Sequence, residues 1–315
     1  MNVLVLESHS LTALARLQAQ SGVQVSQDVS ALDRAEILLI RSRVKVDVDF
    51  LKKAPALKLV ISSTSGFDHI DWRECQRRGI VVAHTPNANA QSTAELTLAL
   101  MLANERQLFT ARKNVVANHW RENLQRPAGL PGQSLGIVGL GRVGKKVAKL
   151  AEAFGMKLYA HDPYVEDEAF VNYRCERMSL IELLRASDYV TLHVPMTKET
   201  LHLMNNPTFS EMQSEAVLIN TCRGPVVDEN ALLDALDEGT IRGAACDVIE
   251  REPPPKGHRV LNHPKLLLTP HIGAFTESAW ERSSQEAVDK ALDFVCGKSQ
   301  ILDTLPLDAP WFEKT

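Results

Sequence analysis

The fold of this chain turns on LGIVGLGRVGKKVAKLAEAFGMKLYAHD, Leu135 to Asp162. The stretch opens with an apolar strand pattern, Leu135 to Val138, and passes at once into Gly139-Leu140-Gly141-Arg142-Val143-Gly144. A helical pattern follows from Val143 to Phe154, closed by Gly155, and a second strand pattern begins at Lys157. In a G-x-G-x-x-G turn so placed, the first glycine permits the tight turn and the second lets backbone approach a pyrophosphate. The third lets helix pack on strand. The helix N-terminus then offers free N–H groups and the positive end of its dipole to phosphates. Asp162 stands 23 residues beyond Gly139, where a carboxylate can accept from both hydroxyls of an adenosine ribose and repel a 2′-phosphate. The unit is therefore expected to bind NAD in preference to NADP. A glycine-rich turn followed by a turn-forming Asp before Pro163 is the bland alternative; it does not explain strand, glycines, helix, strand and acid in this order.

Working outward, apolar runs rich in Val, Ile and Leu recur on both sides. Ahead of the glycine turn they are Val3 to Leu6, Ile37 to Ile40, Leu57 to Ile61 and Ile80 to Ala83. From it onward they are Leu135 to Val138, Lys157 to Ala160, Tyr189 to His193, Ala216 to Asn220, Ala244 to Val248 and Leu266 to Thr269. Such runs with helical stretches between them are the pattern of parallel sheets covered on both faces. Gln91 to Asn118 reads as one long helix, with Ala94, Leu98, Met101 and Leu102 at helical spacing. Ser92 and Glu95 form an S-x-x-E capping box at its start, so Glu95 is expected to cap rather than catalyse. Ala274 to Val295 reads as another helix.

A chain of 315 residues exceeds the size at which one core keeps growing, so two domains are expected. Hydrophobic residues make up 44% and charged residues 23%, with a mean hydropathy of -0.13, as in ordinary globular proteins. The net charge of -4 and the lack of any basic block leave no footprint for nucleic acid, which is not an expected partner. MNVLVLESHS at the start lacks the features of a signal peptide, and no apolar run approaches the roughly 20 residues that span a bilayer. A cytoplasmic protein with no membrane partner is expected. Cys75, Cys175, Cys222, Cys246 and Cys296 are scattered, which predicts reduced thiols and neither a metal nor a disulfide framework.

Exchange of hydride with a carbinol needs a base for the hydroxyl proton, a cation for an anionic substrate and a nicotinamide in reach of the carbon. Three successive strand patterns end on suitable groups: Asn220-Thr221-Cys222-Arg223-Gly224, Asp247 to Glu252, and Thr269-Pro270-His271-Ile272-Gly273-Ala274. Arg keeps its charge and matches a carboxylate with a planar fork, and a carboxylate beside an imidazole raises its pKa. Singly, His271 reads as a satisfied core histidine and Glu252 as a solvated loop acid; their combination with Arg223 points to a site. His69, His84 and His193 are given no catalytic part. Trp120 is either ordinary core or an aromatic anchor at a dimer contact.

These segments, with Ser65 to Asp71 (S-G-F-D-H-I-D), Asn220 to Glu229 (N-T-C-R-G-P-V-V-D-E), Asp247 to Pro253 (D-V-I-E-R-E-P) and P-H-I-G-A, resemble the D-isomer-specific 2-hydroxyacid dehydrogenase family over nearly the whole chain. The resemblance implies that Arg223 binds the substrate carboxylate and keto oxygen, that His271 is the acid/base, and that Glu252 pairs with His271. It extends the NAD-binding set of Gly139, Gly141, Gly144 and Asp162 to Arg142, Val143, Val194, Thr221, Asp247, His271 and Gly273, with Asp247 at the carboxamide. It implies an α/β fold of two doubly wound parallel-sheet domains. A Rossmann nucleotide-binding domain, residues 99–283, would be inserted into a flavodoxin-like substrate-binding domain, residues 1–98 and 284–315. A homodimer or homotetramer acting on a small 2-hydroxy or 2-keto acid is the expected assembly.

Substrate contacts are expected where strands of the smaller domain end. Arg41, Ser42 and Arg43 follow one strand pattern and Ser62 to Gly66 another, and the N–H groups of Ser65 and Gly66 can hold a carboxylate. R-S-R-V-K-V, Arg41 to Val46, resembles the phosphate-binding stretch of the phosphoglycerate dehydrogenases within this family. That resemblance implies oxidation of D-3-phosphoglycerate to 3-phosphohydroxypyruvate, on the way to serine, by a short member without a regulatory domain. Solvated surface arginines are the alternative, and Ser62 and Phe67 depart from the residues expected in some phosphoglycerate enzymes. Glyoxylate or hydroxypyruvate reductases and D-lactate dehydrogenases share the three catalytic positions. Formate dehydrogenases have glutamine where Glu252 stands. An NAD-sensing corepressor is the alternative that is not an enzyme.

Overall fold

The computed structural model describes residues 1–312; the last three residues of the expected 284–315 segment lie outside the described residues. The chain forms two compact units, one from Met1–Ala90 with Ala274–Phe312 and the other from Gln91–Gly273. Among the described residues no helix is long and apolar enough to cross a membrane.

The first segment supplies strands β1 (Asn2–Val5), β2 (Gln24–Ser26), β3 (Ile37–Ile40), β4 (Leu59–Ser62) and β5 (Val81–His84). The second unit carries β6 (Ser134–Val138), β7 (Lys157–His161), β8 (Glu176–Arg177), β9 (Tyr189–Leu192), β10 (Val217–Asn220), β11 (Gly243–Cys246) and β12 (Leu266–Leu268). The returning segment adds β13 (Thr304–Leu305) to the first unit.

In the first unit the strands lie in the order β13-β5-β4-β3-β1-β2, all parallel except β13, which pairs antiparallel with β5. Without β13 this is the flavodoxin-like order, whose topological switch point falls between β1 and β3. Ile37, Leu38, Leu39 and Ile40 are wholly buried because helices cover both faces of the sheet. One face packs with Leu14, Leu17, Ala287 and Val288, from the helices Leu11–Gln18 and Glu277–Val295. Ser10 and Thr276 cap the N-termini of these two helices with their hydroxyl oxygens.

In the second unit the order is β12-β11-β10-β9-β6-β7-β8, parallel throughout. It is the Rossmann order with one strand added at the β11 edge, and its switch point lies between β6 and β9. The helix Arg142–Ala153 buries Val147, Ala148 and Ala151 against Leu135, Ile137 and Ala160.

Every apolar run singled out in the sequence carries a strand, with ends displaced by no more than two residues. The three strands without such a run are β2, β8 and β13. They are short edge strands with no fully buried residue, so no apolar pattern marks them.

Two local expectations are corrected. The long helix Gln91 to Asn118 is two helices, Ala90–Glu105 and Leu108–Val116. Between them Gln107 turns left-handed, with φ 49°, and its side-chain amide both donates to the carbonyl of Gln125 and accepts from the Gln125 N–H. That paired contact with a later loop outweighs continued helix, which the local spacing cannot anticipate. Ser92 is also not the N-cap: the helix starts at Ala90, so Ser92 lies inside its first turn, and Glu95 accepts from the Gln91 side chain.

Candidate active site

The glycine turn joins β6 to the helix Arg142–Ala153 at the switch point of the second unit. Its three glycines differ in what they make possible. Gly139 has φ 95°, and a Cβ there would stand 2.6 Å from the carbonyl oxygen of His193 in the loop after β9. A Cβ at Gly144 would meet the Gly139 carbonyl oxygen at 2.1 Å, so helix and strand approach only without it. Around Gly141, the N-cap, nothing lies within 4 Å of that position. Open space thus adjoins the free N–H groups of a helix start, as a pyrophosphate requires. Arg142 and Val143 form the first turn, with Val143 packed on the core, and Val194 borders Gly139. Asp162 follows β7; one carboxylate oxygen accepts the Leu140 N–H at 2.9 Å and the other the Tyr164 N–H at 2.9 Å. The acid is thereby tied to the glycine turn. These residues fit NAD.

His193 is half-buried, desolvation pushes its pKa down to about 3 so that it stays neutral, and its Nε2 lies 3.1 Å from the Thr191 hydroxyl. Thr221 turns its hydroxyl into the core, 2.9 Å from that of Thr97 on the helix Ala90–Glu105.

Arg223, Glu252 and His271 stand in loops after β10, β11 and β12 of the same unit, three adjacent strands. Nδ1 of His271 lies 2.7 Å from Oε2 of Glu252, and the other Glu252 oxygen accepts the Ile249 N–H at 3.2 Å. The hydrogen bond from Glu252 raises the His271 pKa above its ordinary value; burial and the Arg223 charge oppose this without cancelling it. For Glu252, burial works to raise the pKa, but the bond and charge of His271, the Ile249 N–H and the Arg223 charge hold it below the usual carboxylate value. Both partners therefore favour the ionised pair, and half of the His271 side chain remains exposed.

His271 is itself left-handed, with φ 55°, a conformation that persists only where surrounding structure enforces it. Asp247 provides the enforcement. Its carbonyl accepts the His271 N–H, one carboxylate oxygen accepts the Ile272 N–H and the Thr269 hydroxyl, and the other accepts the Gly273 N–H at 2.7 Å. Asp247 thus anchors the histidine loop, a part the sequence pattern did not show. On the neighbouring strand, the Asn220 side chain accepts the Cys222 N–H and donates to the Arg223 carbonyl, which preforms the arginine turn. The site can therefore offer a fixed cation and an imidazole whose protonation a carboxylate supports.

The first unit holds a separate pocket at the strand ends of its own sheet, lined among others by Arg41, Ser63, Thr64, Ser65, Thr85 and Ser283. Arg41 donates to the Ser283 hydroxyl at 3.2 Å, and the buried Thr85 hydroxyl has no hydrogen-bond partner among the described residues. The Ser65–Gly66 turn is held from behind: a ring nitrogen of His84 lies 2.8 Å from the Ser65 carbonyl, and the Ser62 and Thr64 hydroxyls contact the Gly66 carbonyl. Nε2 of His69 lies 3.3 Å from the Ser62 hydroxyl. Arg43 is exposed and does not line the pocket. Trp120 is 68% exposed, which removes the core alternative for it. Glu7, His9, Thr85 and Ser283 contribute here although no motif marks them; for Glu7 the available signal was its place directly after the first strand run.

Residues 98–273 match the family described as D-isomer specific 2-hydroxyacid dehydrogenase, NAD binding domain. A D-3-phosphoglycerate dehydrogenase of Methanocaldococcus jannaschii is 37% identical over 270 residues, 85% of this chain and 51% of that protein. The chain spans about half the length of the curated relatives it matches. Among solved structures, a Thermus thermophilus protein is 34% identical, with a TM-score of 0.87 over 97% of this chain and 100% of its own. A D-lactate dehydrogenase from Aquifex aeolicus, complexed with NAD and lactic acid, is 31% identical, with a TM-score of 0.83 over 94% of this chain and 96% of its own.

Proposed function

The chain belongs to the D-isomer specific 2-hydroxyacid dehydrogenase family, and on that ground we propose that it exchanges hydride between NAD and the second carbon of a D-2-hydroxy acid, D-3-phosphoglycerate before others. The observation that carries the reaction is the 2.7 Å contact between His271 Nδ1 and Glu252 Oε2, with the Arg223 charge acting on both.

Bound NAD supplies the hydride acceptor, and NADH the donor in the reverse direction. Glu252 accepts from Nδ1 of His271, which fixes the tautomer and leaves Nε2 to take the hydroxyl proton in oxidation or return it in reduction. Arg223 holds the substrate carboxylate and keto oxygen through its planar fork. Asp162 accepts from the adenosine ribose, while the glycine turn takes the pyrophosphate. The phosphate of the preferred substrate is assigned to Arg41 and Arg43, whose guanidinium forks match phosphate oxygens, and the N–H groups of Ser65 and Gly66 serve a carboxylate. A homodimer is proposed as the assembly, supported by the exposure of Leu108, Phe109, Val115, Val116 and Trp120 in one stretch of chain.

A panel of 2-hydroxy and 2-keto acids with NAD(H) and NADP(H), followed at the nicotinamide absorbance, tests the function. Phosphoglycerate or phosphohydroxypyruvate turned over with the highest kcat/KM is the expected result. D-lactate, glyoxylate or hydroxypyruvate in that place would move the substrate and keep the reaction. No turnover of any acid, with NAD still bound, would favour an NAD-sensing protein.

A further inference from the structure

Glu7 stands just beyond the end of β1 with φ 67°, in the left-handed region that residues with a side chain rarely adopt. Such outliers persist where surrounding contacts impose them, and they gather at functional sites. One carboxylate oxygen accepts the backbone N–H of Arg41 at 2.7 Å and the other that of Arg43 at 3.1 Å. The acid thus ties the loop after β1 to the loop after β3. These two strands are neighbours across the switch point of the flavodoxin-like sheet, where open α/β sheets bind ligands beyond the carboxyl ends of their strands.

The direction of these bonds matters. Glu7 spends both oxygens on main-chain N–H groups, and among the described residues neither Arg41 nor Arg43 forms an ion pair. The Arg41 guanidinium donates to a neutral hydroxyl, that of Ser283, and the Glu7 charge acts on it without an ion pair. A carboxylate placed here purely to neutralise the arginines would bond to their side chains. Placed as it is, it shapes the loop and leaves both guanidinium groups without an ion pair among the described residues. The same loop continues through His9, whose Nε2 lies 2.7 Å from the Ser63 hydroxyl in the pocket lined by Arg41.

We propose that Glu7 is a positioning residue for anion selection, holding the Arg41–Arg43 backbone so that both guanidinium groups remain available to a dianionic phosphate. This rests on the assignment of Arg41 and Arg43 to the substrate phosphate.

The test compares 3-phosphohydroxypyruvate with hydroxypyruvate, using NADH, in Glu7→Ala, Glu7→Gln and the double variant Arg41→Ala/Arg43→Ala. Both Glu7 variants should raise KM for the phosphorylated acid about tenfold to a hundredfold, the range of one or two charge-assisted hydrogen bonds. KM for hydroxypyruvate and kcat for both acids should move by less than about twofold, since uniform binding alone is lost. Glu7→Gln, which keeps one acceptor, should lie between wild type and Glu7→Ala, and it is the variant measured if Glu7→Ala does not fold. If the arginine pair proves selective and the Glu7 variants do not, or if they shift both acids equally, the positioning role is overturned and the phosphate site stands. If the arginine pair is not selective either, the phosphate site itself falls, and the role of Glu7 with it.

Discussion

Gly224 lies so close to Ile249 that a Cβ on it would stand 1.9 Å from the Ile249 carbonyl oxygen. The glycine follows Arg223, and the Ile249 N–H donates to Glu252. A backbone contact therefore sets the arginine turn against the loop that carries the carboxylate.

Gly224→Ala should accordingly separate the two loops. The expected outcome is a fall of about a hundredfold or more in kcat/KM, as a displacement near 1 Å produces, with NADH still bound through the glycine turn at Gly139, which lies on another strand. Steady-state kinetics beside a fluorescence titration of NADH measures both. A variant of wild-type kcat/KM would show that this contact does not set the catalytic geometry.

The pH dependence of ketone reduction follows from the His271–Glu252 pair. Because the pair raises the histidine pKa, protonated His271 should persist above the ordinary imidazole value near 6.5, and reduction should decline as pH rises through the raised value. In Glu252→Gln the same decline should begin at lower pH, with a lower plateau. His271→Ala should abolish turnover while NAD binding survives. A kcat/KM profile that does not move in Glu252→Gln would remove the carboxylate from this role.

Asp162 should govern cofactor choice. Replacing it with Asn removes the negative charge while keeping one acceptor, so NADP should gain and NAD should lose, narrowing the preference by about tenfold or more. The Leu140 and Tyr164 N–H bonds explain why the loss in NAD affinity should exceed that expected of a ribose contact alone. Parallel kinetics with the two cofactors would expose an unchanged ratio.

His9 and His193 should make the fold sensitive to acid. Burial lowers their pKa values to about 4 and about 3, below the value near 6.5 expected on unfolding. The unfolded chain therefore takes up protons first, and stability should be fully present above about pH 6.5 and be lost as pH falls toward the folded values. Thermal unfolding between pH 7 and pH 4 should show this decline, and a shallower one in His193→Gln. Equal slopes in the two proteins would exclude His193 as a source.

The exposed stretch around Trp120 should set the assembly. Val116→Asp with Trp120→Glu is expected to yield monomers at concentrations where the wild type is a dimer, read by light scattering. A monomeric wild type would leave that apolar surface to some other partner.

The apolar runs were legible because each central strand of a doubly wound sheet is buried on both faces, as β3 and β10 are, so its position is written in consecutive Val, Leu and Ile. Edge strands such as β8, exposed along their length, carry no such mark. The glycine turn was legible because its order of strand, glycines, helix, strand and acid lies within one β–α–β unit of the chain.

By itself the sequence determined the parallel α/β class, the glycine turn with its acid, and the three polar groups at successive strand ends, since all of these depend on spacing along a few tens of residues. Tertiary structure alone decided which groups touch. Asp247 became the anchor of a left-handed His271, Gln107 broke a helix by gripping Gln125, and Glu7 clasped the backbone of Arg41 and Arg43 from another strand. The Asp247 and Glu7 contacts join loops of neighbouring strands and exist only once the sheet order has brought those loops together, while the Gln107–Gln125 contact needs the later loop to fold back on the helix.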